Sequence, residues 1–301
     1  MLRIALIGWG TVGSAFGALV GTGTLPARLT SVTVRDPGRP RGGAPDTPIG
    51  SAPDLANADV LVELAGGMGE PLTWVRAALD QGLPVITANK AMLATHGADL
   101  ASRARHSGAA LLASASVGGG TPMLETLAHL STHGRISRLR GLLNATTTFI
   151  LGGMADGRSY ADALGEAQQA GFAEADASAD VGGHDAAQKL AILATVAWGR
   201  WRTEAEVETT GITEISVAPG ETVRLVATAT ADRLTVAPER LADHDPLGRA
   251  NGIGTLLEVD VAEFGTVSVG GPGAGGRVTA GAVYADLTRL VNGERPILGD
   301  R

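Results

Sequence analysis

The residues best suited to chemistry lie between Glu174 and Lys189, in the run EADASADVGGHDAAQK. Glu174, Asp176, Asp180 and Asp185 supply carboxylates, and Lys189 closes the run with an ammonium group. Asp185 and Lys189 are four positions apart in a stretch that continues as DAAQKLAILATVAW, whose Ala and Leu content favours helix. The spacing predicts that they share one helix face. Lys90 is the only other lysine among the 24 basic residues, and arginine supplies the rest. An arginine cannot be deprotonated in a protein, whereas burial or a neighbouring cation can draw a lysine toward neutral titration. The composition therefore predicts that at least one of these amines moves a proton or holds a substrate. A solvated helix start competes with this reading. Acids gather at helix N-termini for the dipole alone, and an exposed Asp/Lys pair at this spacing contributes only roughly a few tenths of a kcal/mol.

Such groups need a scaffold, and the N-terminal half predicts one. The apolar run LRIALI (2–7) leads into GWGTVG (8–13) and then a helical pattern through Phe16, Leu19 and Val20. Strand, G-x-G-x-x-G and helix in that order is the context in which the motif means dinucleotide binding. Gly8 makes the tight turn, Gly10 lets the backbone approach a diphosphate, Gly13 allows close helix packing, and the helix start carries the phosphate charge. A glycine turn after any buried strand is the bland alternative. A second strand, 31–34, ends in Arg35-Asp36, where the adenosine ribose is read. Asp36 suits the free hydroxyl of NAD, while Arg35, Arg39 and Arg41 suit the extra phosphate of NADP. The balance tilts to NADP, with a solvated Arg-rich loop close behind.

Strands at 58–64, 83–87 and 109–114 alternate with helices at 71–81 and 91–106, predicting a doubly wound parallel sheet with ligands at the C-terminal strand ends. Glu63, Asn89 with Lys90, and the turn 116–122 all fall at such ends. From about residue 121 the texture changes. A helix to Leu130, a strand at 136–143, a helix at 160–169, the acidic run and its helix to Trp198 precede β-like stretches between 204 and 270. The segment NATTTFIL (144–151) follows the strand at 136–143. The fold class expected is α/β, a Rossmann-type sheet with a second α+β domain. The boundaries expected are 1–120 for the dinucleotide domain, 121–275 for a substrate-binding and dimerisation domain, and 276–301 for a C-terminal helix packing back on the first.

Bulk properties exclude several function classes. A net charge of -7 without a basic run argues against nucleic acid, and an aromatic content of 3% leaves few platforms for base stacking. No apolar stretch approaches the ~18 residues of a membrane span, and the N-terminus lacks a cleavable signal pattern, so a cytoplasmic protein is expected. The absence of cysteine excludes disulfides, thiolate metal sites and a cysteine nucleophile. A dinucleotide domain followed by a carboxylate- and lysine-bearing one suggests hydride transfer on a polar substrate that carries an amino group, with acids gripping the ammonium. His184 beside Asp185 reads as a helix-start or surface histidine, and no His/Asp cluster has transition-metal spacing.

Several separated stretches carry a resemblance: GWGTVG (8–13), VELAGG (62–67), VITANKAMLA (85–94), SASVGGGTP (114–122), GLLNATTTFIL (141–151), GFAEADASADVGGHDAAQKLAILA (171–194) and GGPGAGGRVTAGAVYADL (270–287). In this order and over nearly the whole length, the chain resembles the homoserine dehydrogenases. These enzymes interconvert aspartate semialdehyde and homoserine with NAD or NADP on the aspartate route to threonine and methionine. The resemblance implies that Lys90 and Lys189 are paired catalytic lysines accompanied by Asp185. It implies that Glu174 and Asp180 bind substrate, and that Thr146 lies in the substrate and cofactor loop. It further implies that Gly8, Gly10, Thr11, Val12 and Gly13 serve the cofactor; Arg35, Asn89 and Lys90 are expected to serve it from the strand ends, and a homodimer is expected, paired through the sheet of the second domain. The two amines are then expected to converge beside the reducing ring.

Departures bear on these expectations. Family members usually carry Glu where Ser114 stands, as a ligand of a monovalent cation. Backbone ligands around Val117, Gly119 and Thr121 remain, so a cation is an open expectation. Ala145 and Phe172 replace a common Gly and Tyr. A short form without the C-terminal regulatory domain of many relatives is expected, and with it no feedback inhibition through such a module. Aspartate-semialdehyde dehydrogenase, the neighbouring activity, needs a cysteine nucleophile and is excluded. A related oxidoreductase acting on another amino alcohol or amino acid, or a regulator that binds NADP(H) without turnover, remain as rivals.

Overall fold

Residues 2–7 are apolar at successive rather than alternate positions, the pattern of a strand covered on both faces. They form β1 (Leu2–Ile7), in which Ile4, Ala5, Leu6 and Ile7 are buried. The computed structural model describes residues 1–41, 43, 46–242, 244–249, 254–294 and 298. The chain divides into two compact units, residues 1–120 with 275–301, and residues 121–274.

In the first unit β1 is followed by α1 (Thr11–Gly21), β2 (Ala27–Thr33), β3 (Ile49–Gly50), β4 (Val60–Glu63), α2 (Glu70–Asp80), β5 (Val85–Thr87), α3 (Lys90–Ser107) and β6 (Leu111–Leu112). The strand order is β3-β2-β1-β4-β5-β6, with every neighbouring pair parallel. This is the doubly wound order, in which the chain runs outward from β1 and returns on its other side, opening a crevice at the C-terminal strand ends where that order reverses.

Two details depart from the expected elements. The two-residue β3, paired to Val32 and Thr33, is too short to leave a sequence pattern. The strand expected to reach residue 114 stops at Leu112, because residues 114–116 form a 3-10 turn whose first residue is bound elsewhere, as described below.

The second unit contains α4 (Met123–His133), β7 (Ile136–Leu142), α5 (Ala145–Ala155), α6 (Tyr160–Gln169), α7 (Ser178–Val181), α8 (His184–Trp198), β8 (Val207–Thr209), β9 (Val223–Ala229), β10 (Leu234–Arg240), β11 (Gly254–Val261) and β12 (Gly265–Pro272). Its six strands run in the order β12-β11-β7-β9-β10-β8, antiparallel except for the pair of β10 with β8. Helix α8 buries Ala186, Ala187, Leu190, Ala191, Leu193 and Ala194 and packs on this sheet. The face of β7 and β11 that carries Arg138, Arg140, Glu258 and Asp260 is charged, with Arg138 2.8 Å from Asp260 and Arg140 2.8 Å from Asp245.

Helix α5 arises where local propensity is unhelpful. Thr and Phe/Ile are mediocre helix formers, yet the Asn144 side chain caps the first turn by accepting from the Thr147 amide at 2.8 Å. Ile150 and Leu151 are fully buried. Capping and burial together override the sequence preference.

The last helix, α9 (Gly276–Val291), returns to the first unit. Ala280, Val283 and Leu287 join Phe16 and Val20 of α1 in one buried cluster.

Candidate active site

In the first unit the glycine turn is built for a ligand. Gly8 has φ +97°, and a Cβ there would lie 2.8 Å from the Ala65 nitrogen; one on Gly13 would collide with the Gly8 carbonyl. Those two glycines are required by the protein's own packing. Gly10 is different, since a Cβ there would meet no atom within 4 Å. Its lack of a side chain leaves open room in front of a helix that has no side-chain cap. The first-turn amides of Thr11, Val12 and Gly13 have no preceding helical carbonyl to bond, which makes this a place for phosphate oxygens.

At the end of β2, the loop carries Arg35, Asp36, Arg39 and Arg41. The Arg41 guanidinium donates to the carbonyls of Arg39 at 2.7 Å and Asp36 at 2.6 Å, and Asp36 Oδ1 accepts from the Gly38 amide at 3.0 Å. Arg41 thereby braces the fold of the loop. Arg35 and Arg39 are exposed.

Lys90 is the first residue of α3 and is half-buried. Asn89 caps that helix, accepting from the Met92 amide at 3.1 Å, and its Nδ2 donates to the Gly67 carbonyl at 2.7 Å. Beneath lies a residue to which sequence reasoning gave no role. Glu63 is fully buried; its Oε1 accepts from the amides of Ala65 and Gly66, both at 2.9 Å, and its Oε2 accepts from the Thr87 hydroxyl at 2.7 Å. Burial pushes this carboxyl above the usual range, opposed by its bonds from Thr87, Gly66 and Ala65.

The 114–120 turn shows what replaces an acid at Ser114. Its amide and hydroxyl donate to the two oxygens of the buried Asp286, at 2.8 and 2.6 Å, and Arg289 Nη1 donates to Ser114 Oγ at 2.8 Å. A guanidinium therefore occupies the neighbourhood of this side chain, which does not fit a cation ligand at that position. Val117 is buried and Gly119 has φ +61°. Thr121 belongs to the other unit, where its hydroxyl donates to the Pro272 carbonyl at 3.4 Å. No group of three or more His, Asp or Glu side chains able to hold a metal occurs among the described residues.

The second unit gathers the acidic run around one amide. Lys189 Nζ donates to Asp185 Oδ2 and to the Leu143 carbonyl, each at 2.7 Å. Asn144 Nδ2 donates to the same Asp185 oxygen at 2.9 Å and to Asp180 Oδ1 at 2.6 Å. Lys189, Asp185 and Asp180 are thus brought together by Asn144, which the sequence reading left without a function. The bend that allows this is Gly182-Gly183: α7 ends, Gly183 takes φ +84°, and α8 starts in a new direction. Asp185 is therefore engaged with the lysine rather than held open for a substrate ammonium.

Thr146 and Glu174 lie on the neighbouring segments of this unit. Thr146, in the first turn of α5, donates its hydroxyl to the Phe172 carbonyl at 2.8 Å. Glu174 is exposed two residues further on, its backbone carbonyl tied to Gln168 at 3.2 Å. His184 lies outside the cluster, with Nδ1 2.9 Å from Glu204 on the surface. Lys90 and Lys189 belong to different units.

Comparison with known proteins adds an independent line. The family described as homoserine dehydrogenase matches residues 122–288, and the homoserine dehydrogenase NAD-binding domain matches residues 8–114. The chain is 36% identical to the homoserine dehydrogenase of Corynebacterium glutamicum, over 94% of this chain and 70% of that protein. It is 33% identical to the Bacillus subtilis enzyme of the same name, over 98% and 74%. Among solved structures, a homoserine dehydrogenase from Thiobacillus denitrificans superposes with a TM-score of 0.90 at 30% identity, covering 97% of this chain and 74% of that one. A hyperthermophilic archaeal homoserine dehydrogenase in complex with NADPH superposes at 0.88 with 27% identity, covering 98% and 99%.

Proposed function

Because the chain belongs to the homoserine dehydrogenase family, and so is an NAD(P)-dependent oxidoreductase acting on a CH–OH group, we propose specific roles for its residues in interconverting L-aspartate 4-semialdehyde and L-homoserine. The cluster of Lys189, Asp185, Asn144 and Asp180 carries this reading. Two of the three ammonium hydrogens of Lys189 are committed, to Asp185 and to the Leu143 carbonyl. The third is left to meet a substrate oxygen.

On the cofactor side, Gly8, Gly10 and Gly13 shape the turn, and the amides of Thr11, Val12 and Gly13 take the diphosphate. NADP is preferred over NAD, with Arg35 and Arg39 pairing to the 2'-phosphate while Arg41 holds the loop. A nicotinamide cofactor held by these residues would supply or take up the hydride at the carbonyl or alcohol carbon. Asn89 and Lys90 serve its ring end.

On the substrate side, Asp180 and Glu174 grip the ammonium through charge-assisted hydrogen bonds, and Thr146 lines the loop beside them. Asp185 and Asn144 hold Lys189 in place. In the reducing direction the Lys189 ammonium donates the proton that neutralises the forming alkoxide; in the oxidising direction the amine takes it back. Lys90 acts in the same turnover. Ser114, already bonded to Asp286 and Arg289, supplies no side-chain ligand to a monovalent cation, which would have only the backbone carbonyls of Val117, Gly119 and Thr121.

Two wider roles complete the proposal. The protein works in the cytoplasm in amino-acid synthesis from aspartate, toward threonine and methionine; no described helix is long and apolar enough to cross a membrane. It forms a homodimer through the sheet of the second unit, whose eight-residue β12 lies at the edge of the strand order. Light scattering at micromolar concentration tests the dimer, and a monomer there would remove it.

The deciding assay is oxidation of NADPH and of NADH with aspartate semialdehyde, followed by other amino aldehydes and keto acids. Turnover with aspartate semialdehyde is expected. Turnover only with another substrate would favour the related-oxidoreductase reading, and tight NADPH binding without any turnover would favour a regulator.

A further inference from the structure

We propose that Glu63 is a positioning residue for Lys90, acting through Thr87 and Asn89 rather than on the substrate. The proposal rests on the reading that Lys90 takes part in turnover. It starts from a buried acid at the C-terminal end of β4 whose carboxylate is held by uncharged donors, two backbone amides and a hydroxyl. A carboxylate can accept at both oxygens at once, and this one does. One oxygen gathers the amides of the 64–67 loop; the other takes the hydrogen of the Thr87 hydroxyl.

The consequence is directional. With its hydrogen given to Glu63, Thr87 Oγ1 presents a lone pair, and the Asn89 amide donates to it at 3.0 Å. Asn89 then spends its side chain twice, capping α3 through the Met92 amide and returning to the 64–67 loop through the Gly67 carbonyl. The circuit Glu63, Thr87, Asn89, Gly67 closes on itself around the ends of β4 and β5. Lys90 is the next residue along, the first of α3, so its backbone is fixed by this ring of bonds.

The glycine turn has its own anchors. Gly8 donates to the Thr33 carbonyl and Leu64 donates to the Ile7 carbonyl, each at 2.8 Å, without help from Glu63. Loss of the Glu63 carboxylate should therefore disturb Lys90 more than cofactor binding. A misplacement of about 1 Å in a catalytic group can cost ~100-fold in rate.

The test is a double-mutant cycle in the full-length protein. Glu63→Gln and Thr87→Val are each expected to lower kcat roughly 10- to 100-fold, with a much smaller change in the Kd for NADPH. Thr87→Ser, which keeps the hydroxyl, is expected to recover most of the loss seen with Thr87→Val. In a Lys90→Ala background, Glu63→Gln should add little further loss, because both changes remove the same function. Independent, multiplying effects of Lys90→Ala and Glu63→Gln, or a loss confined to NADPH affinity, would overturn the proposal. Near-normal kcat in Lys90→Ala alone would instead remove the role of Lys90 itself. If Glu63→Gln does not fold, judged by thermal melting, the Thr87 pair in the same two backgrounds decides.

Discussion

The Lys189 ammonium donates to Asp185 across 2.7 Å, one helical turn away, from side chains only 15% and 11% exposed. Such shielding makes this pair unlike a surface i, i+4 couple, where solvent screens most of the attraction. Removing one partner would leave the other charge poorly solvated, so the informative substitution keeps the charge and changes its chemistry.

Lys189→Arg does that. A guanidinium can still face Asp185, but it does not release a proton at any pH the protein survives. Turnover is expected to fall about 100-fold or more, the scale of general acid–base assistance, with a small change in melting temperature. Lys90→Arg is expected to lower kcat in the same sense. Steady-state kinetics with a thermal melt checks both, and near-normal kcat in either variant removes that lysine as a proton carrier.

Asn144 makes a second case, because one side chain caps α5 and bridges two acids. Asn144→Ala loses the cap together with the hydrogen bonds that its amide gives to Asp180 and Asp185. The combined cost is expected at about 1–3 kcal/mol of unfolding free energy, read by urea denaturation. Substrate KM should rise with it, since Asp180 loses its brace. An unchanged KM alongside the stability loss would reduce Asn144 to a helix cap.

How much of this was legible in advance follows from how local each interaction is. The Gly8–Gly13 turn, the strand–helix alternation and the pairing of Asp185 with Lys189 are written in short spacings, which fix which groups meet. Asn144 was not legible: its partners lie 36 and 41 residues away, and Thr-rich sequence hid the helix it caps. Ser114 and Asp286 are 172 residues apart. Their contact exists only because α9 returns to the first unit, which no periodicity encodes. The bracing role of Arg41 is hidden for a related reason, since only the folded loop turns its guanidinium onto the carbonyls of Asp36 and Arg39.

Arg39 and Arg41 should therefore differ in their effect on cofactor use. Arg39→Ala is expected to raise the KM for NADPH about tenfold, equivalent to one charge-assisted contact of ~1.4 kcal/mol, and to leave the KM for NADH nearly unchanged. Arg41→Ala should affect both cofactors together, because it loosens the loop rather than removing a phosphate ligand. Equal effects of Arg39→Ala on NADPH and NADH would remove the preference for NADP.

Cation dependence is tested without mutation. Arg289 lies 2.8 Å from Ser114 Oγ and 3.0 Å from Asp286 Oδ1, so a second cation there would meet like charge. Replacing potassium and sodium by tetramethylammonium at constant ionic strength is expected to leave kcat unchanged. Activity that disappears on exchange and returns with potassium would show a cation site that these side chains do not provide.

Asp59, just before β4, and Glu63, its last residue, should move stability with pH in opposite directions. Asp59 is held down to about 2 by its hydrogen bond with the Arg3 side chain and the Arg3 amide. An acid with a depressed folded value contributes stability above its unfolded pKa of about 3.9, lost as pH falls through the folded value. Asp59→Asn should therefore be less stable than the parent at pH 5 and converge with it near pH 2. The difference should be small and shrink in salt, because the pair is partly exposed. Glu63 has the reverse sign. Burial raises its folded value, so its favourable contribution is fullest below the unfolded pKa of about 4.3 and declines as pH rises through the folded value. Relative to the parent, Glu63→Gln should gain stability as pH rises from 4 toward 8, whatever the fixed cost of its altered hydrogen bonds. Urea unfolding of the three proteins across pH 2–8 measures both trends, and parallel curves for Glu63→Gln and the parent would show that burial does not penalise the ionised carboxylate.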